Sequence, residues 1–501
     1  MMRCAFLTLL FWMGTAGASP ATGQTIVIDA AQLGRSFPHF WEKAFGSGRA
    51  NLSLRESYRD DLRALKKVTG VEYVRFHAIF HDENGVYDED AHGRPVYNWS
   101  YVDQIYDGLL ANHVRPFVEL SFMPRKLAVS PAPHAFWYKP LPAPPRDYDR
   151  WGGLIEGFAR HLVDRYGIDE VSQWIFEVWN EPNLDFWTGK PVEETYRRLY
   201  AVSAQALKKV SPRLRVGGPS TAQAAWVAGF IDYCAKNDVP LDFVSTHVYG
   251  NDRSEDVFGT HEIIPRSDMV ARAARKVHDE IAASSRPDLP LYFSEFSASF
   301  KNEVAVTDSP YMGPWLANTI RLCDGMVDMM SYWTLSDVFE EQGVVKTPFY
   351  GGFGLIAAGN IPKAAFNDFA LLHQLGDTRI PNDSDSVLVT KRSDGSLAIA
   401  LWNYAAPEEA GSPREFKLDI KGLAGSHTLQ ITTVDATHGS PLGLWVSMGK
   451  PAFPTLVQQR QLREAGQPPS PHQCEWRADS LLELTLAPKA LVLIEAPAEG
   501  R

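Results

Sequence analysis

The chain has 501 residues, of which 45% are hydrophobic and 12% aromatic, and its formal net charge is −11. A chain of this length can bury a large core and forms two or three domains, or one large barrel with an attached domain. The negative charge argues against nucleic acid and anionic membranes as partners, because both require clustered Lys and Arg.

The N-terminal stretch has the features of a secretory signal peptide. It contains one Arg, an apolar run of about ten residues, and the small residues Ala-Gly-Ala before Ser19. The apolar run is too short to span a bilayer. We therefore expect residues 1–18 to be a signal peptide and the mature protein to be secreted or periplasmic, with no membrane association after removal of the leader. Three cysteines remain after that removal, which allows at most one disulfide.

Short apolar segments recur every 30 to 60 residues through the first two thirds of the chain. Amphipathic stretches such as "RDDLRALKKVTG" lie between them and are typical of helices. Eight alternations of strand and helix predict a (β/α)8 TIM barrel over residues 36–361. The eight predicted strands lie at 41–45, 73–76, 115–120, 174–179, 213–217, 241–246, 291–294 and 326–333.

The remainder of the chain reads as a small all-β domain. "SVLVTKRSDGSLAIALWNY" predicts a hairpin, several alternating strands follow, and residues 454–466 predict one helix. We therefore expect a β-sandwich over residues 362–501. The segment 19–35 contains "TIVIDA", which predicts a strand that could join this sandwich.

Polar side chains gather where the predicted barrel strands end, at the face on which barrel enzymes hold their active sites. Two carboxylates stand out because each closes a largely apolar segment: Glu181 in "FEVWNEPNLDFW" and Glu295 in "YFSEFSAS". Strands four and seven face each other across a barrel, so both carboxylates can point into one cleft. A pair about 5 Å apart can hydrolyse a glycosidic bond with retention of configuration.

The neighbouring residues support this interpretation. A carboxylic acid beside a carboxylate has a raised pKa and can act as a proton donor. Arg75, His247 or Tyr249 could donate hydrogen bonds to an ionised nucleophile, and Asn180 is placed to bind a sugar hydroxyl. Phe136 and Trp137, in the Pro-rich segment 130–151, are the expected platform for the leaving group.

These motifs closely resemble those of glycoside hydrolase family 39, a family of retaining (β/α)8-barrel enzymes. The resemblance covers most of residues 40–365 and is carried by "FEVWNEPNLDFW", "DFVSTHVYG", "YFSEFSAS" and "SYWTLSDVFEE". It implies that Glu181 is the general acid/base and Glu295 the nucleophile. It also implies β-D-xylosidase activity on xylan-derived oligosaccharides, without a cofactor. The residues that it places around the sugar are His77, Asn180, His247, Tyr249, Trp333, Glu340 and Glu341.

The chain departs from the family pattern beside the nucleophile, where Ser294 and Phe296 stand in place of the usual Thr and Trp, and at Tyr350, where His is expected. The sugar specificity therefore stays open between β-xylosides, α-L-arabinosides, β-glucosides, iduronide-like substrates and exopolysaccharides. A carbohydrate-binding barrel without catalytic activity is a further alternative.

A metal-dependent hydrolase is not supported by the sequence. "HEIIP" at 261–265 lacks the second His of a zinc helix, and no Cys pair has ligand spacing. We therefore expect a glycoside or oligosaccharide as the partner, and no catalytic metal. The sequence carries no signal for an oligomeric state.

Overall fold

The computed structural model describes residues 25–498, so the expected signal peptide lies outside the described residues. The strands, in chain order, are β1 (Thr25–Asp29), β2 (Arg35–Ser36), β3 (Ala44–Arg49), β4 (Tyr73–His77), β5 (Tyr87–Glu89), β6 (Pro95–Tyr97), β7 (Arg115–Glu119), β8 (Ile175–Glu177), β9 (Arg215–Thr221), β10 (Phe243–Tyr249), β11 (Leu291–Ser297), β12 (Met329–Tyr332), β13 (Ile356–Ala357), β14 (Ile361–Pro362), β15 (Thr378–Ile380), β16 (Val387–Lys391), β17 (Leu397–Trp402), β18 (Arg414–Lys421), β19 (Ser426–Val434), β20 (His472–Arg477), β21 (Leu482–Leu486) and β22 (Leu491–Ala496).

The α-helices, in chain order, are α1 (Glu56–Val68), α2 (Ser100–Leu110), α3 (Tyr148–Tyr166), α4 (Ile168–Val171), α5 (Val192–Val210), α6 (Val227–Lys236), α7 (Ser254–Phe258), α8 (Arg266–Ala282), α9 (Val304–Thr307), α10 (Met312–Cys323), α11 (Ala364–Leu372), α12 (Leu442–Ser447) and α13 (Leu456–Ala465). None of the helices in the described part of the chain is long and apolar enough to cross a membrane.

The helices follow from local sequence signals. In α3, the Asp147 side chain caps the first turn by accepting from the backbone N–H groups of Asp149 and Arg150. Residues such as Trp151, Ile155 and Phe158 recur at helical spacing and are buried against the barrel. The helix ends at Gly167, whose φ of 81° is accessible to glycine at little cost.

Eight parallel strands close into a barrel in the order β3-β4-β7-β8-β9-β10-β11-β12. The predicted (β/α)8 barrel is thereby confirmed, and each of the eight predicted strand segments overlaps an observed strand. An apolar cluster that includes Phe117, Phe243 and Met329 lies within the barrel, with Phe243 and Met329 at the amino ends of their strands. The carboxyl ends of the strands all lie at one rim because the strands are parallel, and this rim carries the polar residues.

The C-terminal domain is a two-sheet sandwich. A seven-stranded sheet has the order β2-β15-β16-β17-β22-β19-β20, and a three-stranded sheet has the order β1-β18-β21. The core between the sheets is apolar and includes Ile28, Ile399, Leu418 and Ile494. Strand β1, from the "TIVIDA" segment, pairs in parallel with β18. Among the described residues, Cys234, Cys323 and Cys474 are free thiols.

Candidate active site

Two glutamates from opposite sides of the barrel meet at its carboxyl rim. Glu181 lies four residues after the end of β8, and Glu295 lies within β11. One oxygen of each carboxylate and one nitrogen of His247 all lie within 4.8 Å of one another. This separation suits the two carboxylates of a retaining glycosidase, which stand about 5 Å apart, and leaves no room for the water of an inverting enzyme.

The backbone at the end of β8 is held in an unfavourable conformation that presents Glu181. Trp179 and Glu181 have φ values of 73° and 42°, in the left-handed region that non-glycine residues rarely adopt. Such residues cost about 1–3 kcal/mol each and persist only where their surroundings fix them. Here the Trp179 indole donates to the carbonyl of Phe186 at 2.8 Å, and the Glu181 N–H donates to the carbonyl of Ser220 at 2.8 Å.

Glu295 accepts two strong hydrogen bonds. Arg75 Nη1 donates to its Oε1 at 2.7 Å, and the Tyr249 hydroxyl donates to its Oε2 at 2.6 Å. Both donors were among those expected from the sequence. A guanidinium and a phenol hydroxyl stabilise negative charge on the carboxylate and fix its orientation, as a nucleophile requires.

Arg75 is a buried side chain that binds several polar groups of the site. Its side chain is fully buried and also contacts Glu177 Oε2 at 2.7 Å and Glu119 Oε2 at 2.8 Å. Its Nη2 donates to Asn180 Oδ1 at 2.9 Å, which leaves the Asn180 NH₂ group as a donor. One cation thus orients three carboxylates and the amide.

The acid/base candidate has the proton affinity that a general acid needs. Burial raises the pKa of Glu181 from 4.5 to about 7, and the charges of His77 and Arg75 oppose this shift. A raised pKa was expected from a neighbouring carboxylate, but desolvation of Glu181 is the larger cause. At neutral pH a substantial fraction of Glu181 therefore carries a proton.

A chain of hydrogen bonds determines where that proton is held. The Ser294 hydroxyl donates to Glu177 Oε1 at 2.5 Å, so its oxygen accepts from His247 Nε2, 3.1 Å away. Burial lowers the pKa of His247 to about 4, so its ring is neutral and carries one proton. With that proton on Nε2, Nδ1 is an acceptor, and its 3.0 Å contact with Glu181 Oε1 requires the proton of Glu181.

His77 and Glu341 form a second polar pair beside the nucleophile. Burial lowers the pKa of His77, but the charge of Glu119, whose Oε2 lies 2.7 Å from His77 Nδ1, outweighs it and raises the pKa to about 9. His77 Nε2 lies 3.6 Å from Glu341 Oε1. Burial raises the pKa of Glu341 to about 8, and nearby Glu295 adds to the shift. An imidazolium and a protonated carboxyl are thus both available as donors.

The catalytic groups open into a pocket of about 260 Å³. Of the residues predicted to bind substrate, His77, Phe136, Asn180, Tyr249, Trp333 and Glu341 line it. Further lining residues were not predicted from the sequence, namely Leu184, Phe186, Ala222, Gln223, Asp252, Phe300, Gln342 and Phe353. Phe186 lies within "FEVWNEPNLDFW" and Phe300 directly follows "YFSEFSAS", so proximity to these motifs could have indicated that both line the pocket. A more open cavity of about 810 Å³ lies elsewhere and contains none of the catalytic carboxylates.

Three predicted contact residues lie outside the pocket lining. Glu340 is bound by Arg49 at 3.0 Å and by Arg55 at 2.6 Å, so two cations hold its carboxylate outside the pocket lining. Trp137 is 51% exposed and packs over Arg49. His247 is fully buried, and its Nδ1 contacts Glu181. The sequence had instead predicted a contact with the nucleophile or the sugar.

Glu181, His247 and Glu295 also offer three ligand atoms close enough to share a metal ion. Their partners argue against that use. The guanidinium of Arg75 touches Glu295 and would repel a cation, and His247 Nδ1 already accepts the proton of Glu181. The arrangement instead supplies a charged carboxylate and a proton donor on two sides of one small pocket.

Comparison with known proteins agrees with this chemistry. Residues 24–483 match the model of glycosyl hydrolases family 39. The chain is 37% identical over 441 residues to a beta-xylosidase of Geobacillus stearothermophilus, covering 86% of this chain and 87% of the relative. It is 24% identical to the alpha-L-iduronidase of Homo sapiens over 458 residues, covering 80% of this chain and 65% of that protein.

Among solved structures, a monomeric beta-xylosidase from Caulobacter crescentus CB15 superposes with a TM-score of 0.87 and 32% identity, covering 95% of this chain and all of the other. The match to the family model and these relatives cover both the barrel and most of the sandwich. The chain belongs to glycosyl hydrolase family 39 and is a glycoside hydrolase.

Proposed function

We propose that this enzyme removes terminal β-D-xylosyl residues from xylo-oligosaccharides or related β-xylosides by double displacement, with Glu295 as nucleophile and Glu181 as general acid/base. The observation that carries the proposal is the pair of carboxylates within 4.8 Å, one held by Arg75 and Tyr249 and the other holding a proton. The similarity to xylosidases supports the choice of sugar.

The two steps follow from the geometry. In the first, Glu295 attacks the anomeric carbon, the bond to the leaving oxygen breaks, and the proton of Glu181 passes to that oxygen. In the second, Glu181 takes a proton from water, the resulting hydroxide attacks the anomeric carbon, and the ester bond to Glu295 breaks. Glu181 regains its proton and Glu295 its charge, so the enzyme is unchanged.

The charge of the pocket favours a neutral sugar. Its described lining residues include the acidic side chains of Glu181, Asp252, Glu295 and Glu341, and no Lys or Arg. A uronic acid such as iduronide would place its carboxylate among these groups, where His77 is the one cationic side chain of the described lining and is already paired with Glu119. The iduronide-like alternative is therefore the less favoured one.

The small volume favours cleavage at a chain end. A pocket of about 260 Å³ is at the lower limit for small-molecule sites and suits one sugar rather than a polymer chain. Phe136, Phe186 and Phe300 supply an apolar surface in the same pocket for the leaving group. Export of the enzyme, which rests on the leader-like residues 1–18, would bring it to polysaccharide fragments outside the cytoplasm.

A substrate panel tests the proposal. Wild type is assayed with xylobiose and with aryl β-xyloside, α-L-arabinoside, β-glucoside and α-L-iduronide, and Glu295→Ala serves as the inactive control. We expect the highest kcat/KM on the β-xyloside and loss of turnover in the variant. A higher kcat/KM on the arabinoside, glucoside or iduronide would overturn the xyloside assignment.

The role of Glu181 has its own test. Glu181→Ala should slow xylobiose cleavage severely but spare the first step with an activated aryl xyloside, whose leaving group needs no proton. Added azide should restore the second step and give a glycosyl azide of retained configuration. An azide product of inverted configuration would mean that the two roles must be exchanged.

A further inference from the structure

Three potential metal ligands converge on the face of the barrel opposite the catalytic rim. His39 Nδ1 lies 2.7 Å from Glu42 Oε1, and His373 Nδ1 lies 2.9 and 3.0 Å from the two oxygens of Glu42. One ligand atom from each residue lies within 4.8 Å of the other two. Glu42 comes two residues before β3, and His373 directly follows α11, so elements 331 residues apart meet here.

Burial and a backbone hydrogen bond fix the position of the Glu42 side chain. Its side chain is only 2% exposed, and its Oε2 accepts the backbone N–H of Gly70 at 3.0 Å. The side chain of His373 is 42% exposed, which leaves the cluster open to solvent.

We propose that His39, Glu42 and His373 bind one divalent transition-metal ion of the zinc class. Two imidazole nitrogens and one carboxylate oxygen are a ligand set that Zn²⁺ accepts, with water completing the shell. Ligands about 2.0–2.1 Å from a tetrahedral ion lie about 3.3 Å apart. The observed nitrogen–oxygen distances of 2.7 and 2.9 Å are close to this, and rotation of the partly exposed His39 and His373 rings supplies the difference. Binding also requires the ring protons of both histidines to lie on Nε2, so that each Nδ1 offers its lone pair to the ion.

The location indicates a structural role for this metal site. Glu42 and Gly70 precede the first residues of β3 and β4, at the end of the barrel where residues serve stability rather than chemistry. Helix α11 packs against β19 and β22 of the sandwich. A bound ion would therefore tie the start of the barrel to the helix on which the sandwich rests, and would stabilise the folded state without entering the reaction.

The test is calorimetric titration of the untagged full-length protein with ZnCl₂, with His373→Ala and His39→Asn as variants. We expect one equivalent to bind to wild type and each variant to weaken the affinity at least about tenfold, since loss of outer-shell partners alone costs 10–100-fold. Zinc should raise the melting temperature of wild type and not of a variant, and EDTA should leave xyloside hydrolysis unchanged.

Two further variants make the result specific. His261→Ala is the matched control, because His261 Nδ1 also lies 3.0 Å from a carboxylate, that of Glu255, but with no third ligand. It should bind zinc as wild type does. Glu181→Gln tests the catalytic cluster as the competing site. The proposal is overturned if wild type binds no zinc, if both His373→Ala and His39→Asn bind as wild type, or if Glu181→Gln alone abolishes binding.

Discussion

Ser294 is adjacent in sequence to the nucleophile Glu295, yet we expect it to control the protonation of Glu181. Its hydroxyl donates to Glu177 and accepts from His247 Nε2, which makes Nδ1 the acceptor for the Glu181 proton. Ser294→Ala removes the acceptor at Nε2. The ring proton is then free to move to Nδ1 and donate to the Glu181 carboxylate, so the hydrogen bond favours the ionised form instead of the protonated one.

The expected size follows from one hydrogen bond. A bond between neutral groups contributes about 0.5–1.5 kcal/mol, and one pKa unit corresponds to about 1.36 kcal/mol. We therefore expect the pKa of Glu181, about 7 in the wild type, to fall by roughly 0.5–1 unit in Ser294→Ala. Because the first step needs protonated Glu181, kcat/KM falls as pH rises through this value, and the alkaline limb moves to lower pH.

The assay is the pH dependence of kcat/KM with xylobiose, whose leaving group requires the proton. Ser245→Ala is the matched control, since Ser245 is buried on β10 but its hydroxyl has no hydrogen-bond partner among the described residues. Ser294→Thr keeps a hydroxyl and should keep the wild-type limb. An unchanged or raised alkaline limb in Ser294→Ala would refute the proposed hydrogen-bond chain.

Three further predictions concern the pocket and the core. Phe136→Ala should raise KM for xylobiose several-fold because Phe136 lines the pocket, whereas Trp137→Ala should leave KM unchanged. Equal effects of the two substitutions on KM would contradict this placement. Gly46→Ala should lower kcat/KM and destabilise the fold by about 1–3 kcal/mol in urea denaturation, because a Cβ at this position would lie 2.3 Å from the Trp333 side chain. Gly443→Ala is the control and should change neither quantity, because the nearest atom to its Cβ would be 3.7 Å away. Wild-type behaviour of Gly46→Ala would disprove the clash. Asp368 is fully buried with both oxygens unpartnered in the described structure, and burial raises its pKa well above 3.8. Because the folded protein holds this proton more tightly than the unfolded chain does, wild type loses stability as pH rises above about 4, and Asp368→Asn should gain stability over it there by up to about 1.4 kcal/mol per pH unit. A stability difference that is independent of pH in urea denaturation would refute this.

The barrel was predictable because its physical signals are local. Buried parallel strands are continuous apolar runs, and the predicted 115–120 and 291–294 correspond to Arg115–Glu119 and Leu291–Ser297. The polar residues that end those runs share one rim because all the strands are parallel. The meeting of Glu181 and Glu295 follows from this topology alone, without knowledge of any side-chain contact.

Which member of a neighbouring pair lines the pocket depends on side-chain direction, which sequence does not specify. Glu340 and Glu341 are neighbours, as are Phe136 and Trp137, yet only one member of each pair lines the pocket. Neither pair lies in a strand or an α-helix, so no regular period indicates which member faces the pocket, and the resemblance marks only the segment.

The contacts of Arg75 with Glu119 and Glu177 were not predictable from the sequence, because these two partners come from two other strands. Which residues of different strands meet inside a barrel depends on the stagger of the strands, and apolar periodicity does not report it. The cluster of His39, Glu42 and His373 has no motif spacing because His373 lies 331 residues from Glu42 in the chain.

The central claim is that Glu295 forms a covalent bond to the sugar while Glu181 transfers the proton. The most direct measurement is mass spectrometry of peptides after reaction with an activated 2-deoxy-2-fluoro-β-xyloside, which slows the second step and lets the intermediate accumulate. The account predicts one sugar per chain, attached to the peptide at Glu295, and none in Glu295→Ala. A sugar attached at Glu181, or rapid turnover that releases inverted product without any labelled peptide, would contradict it.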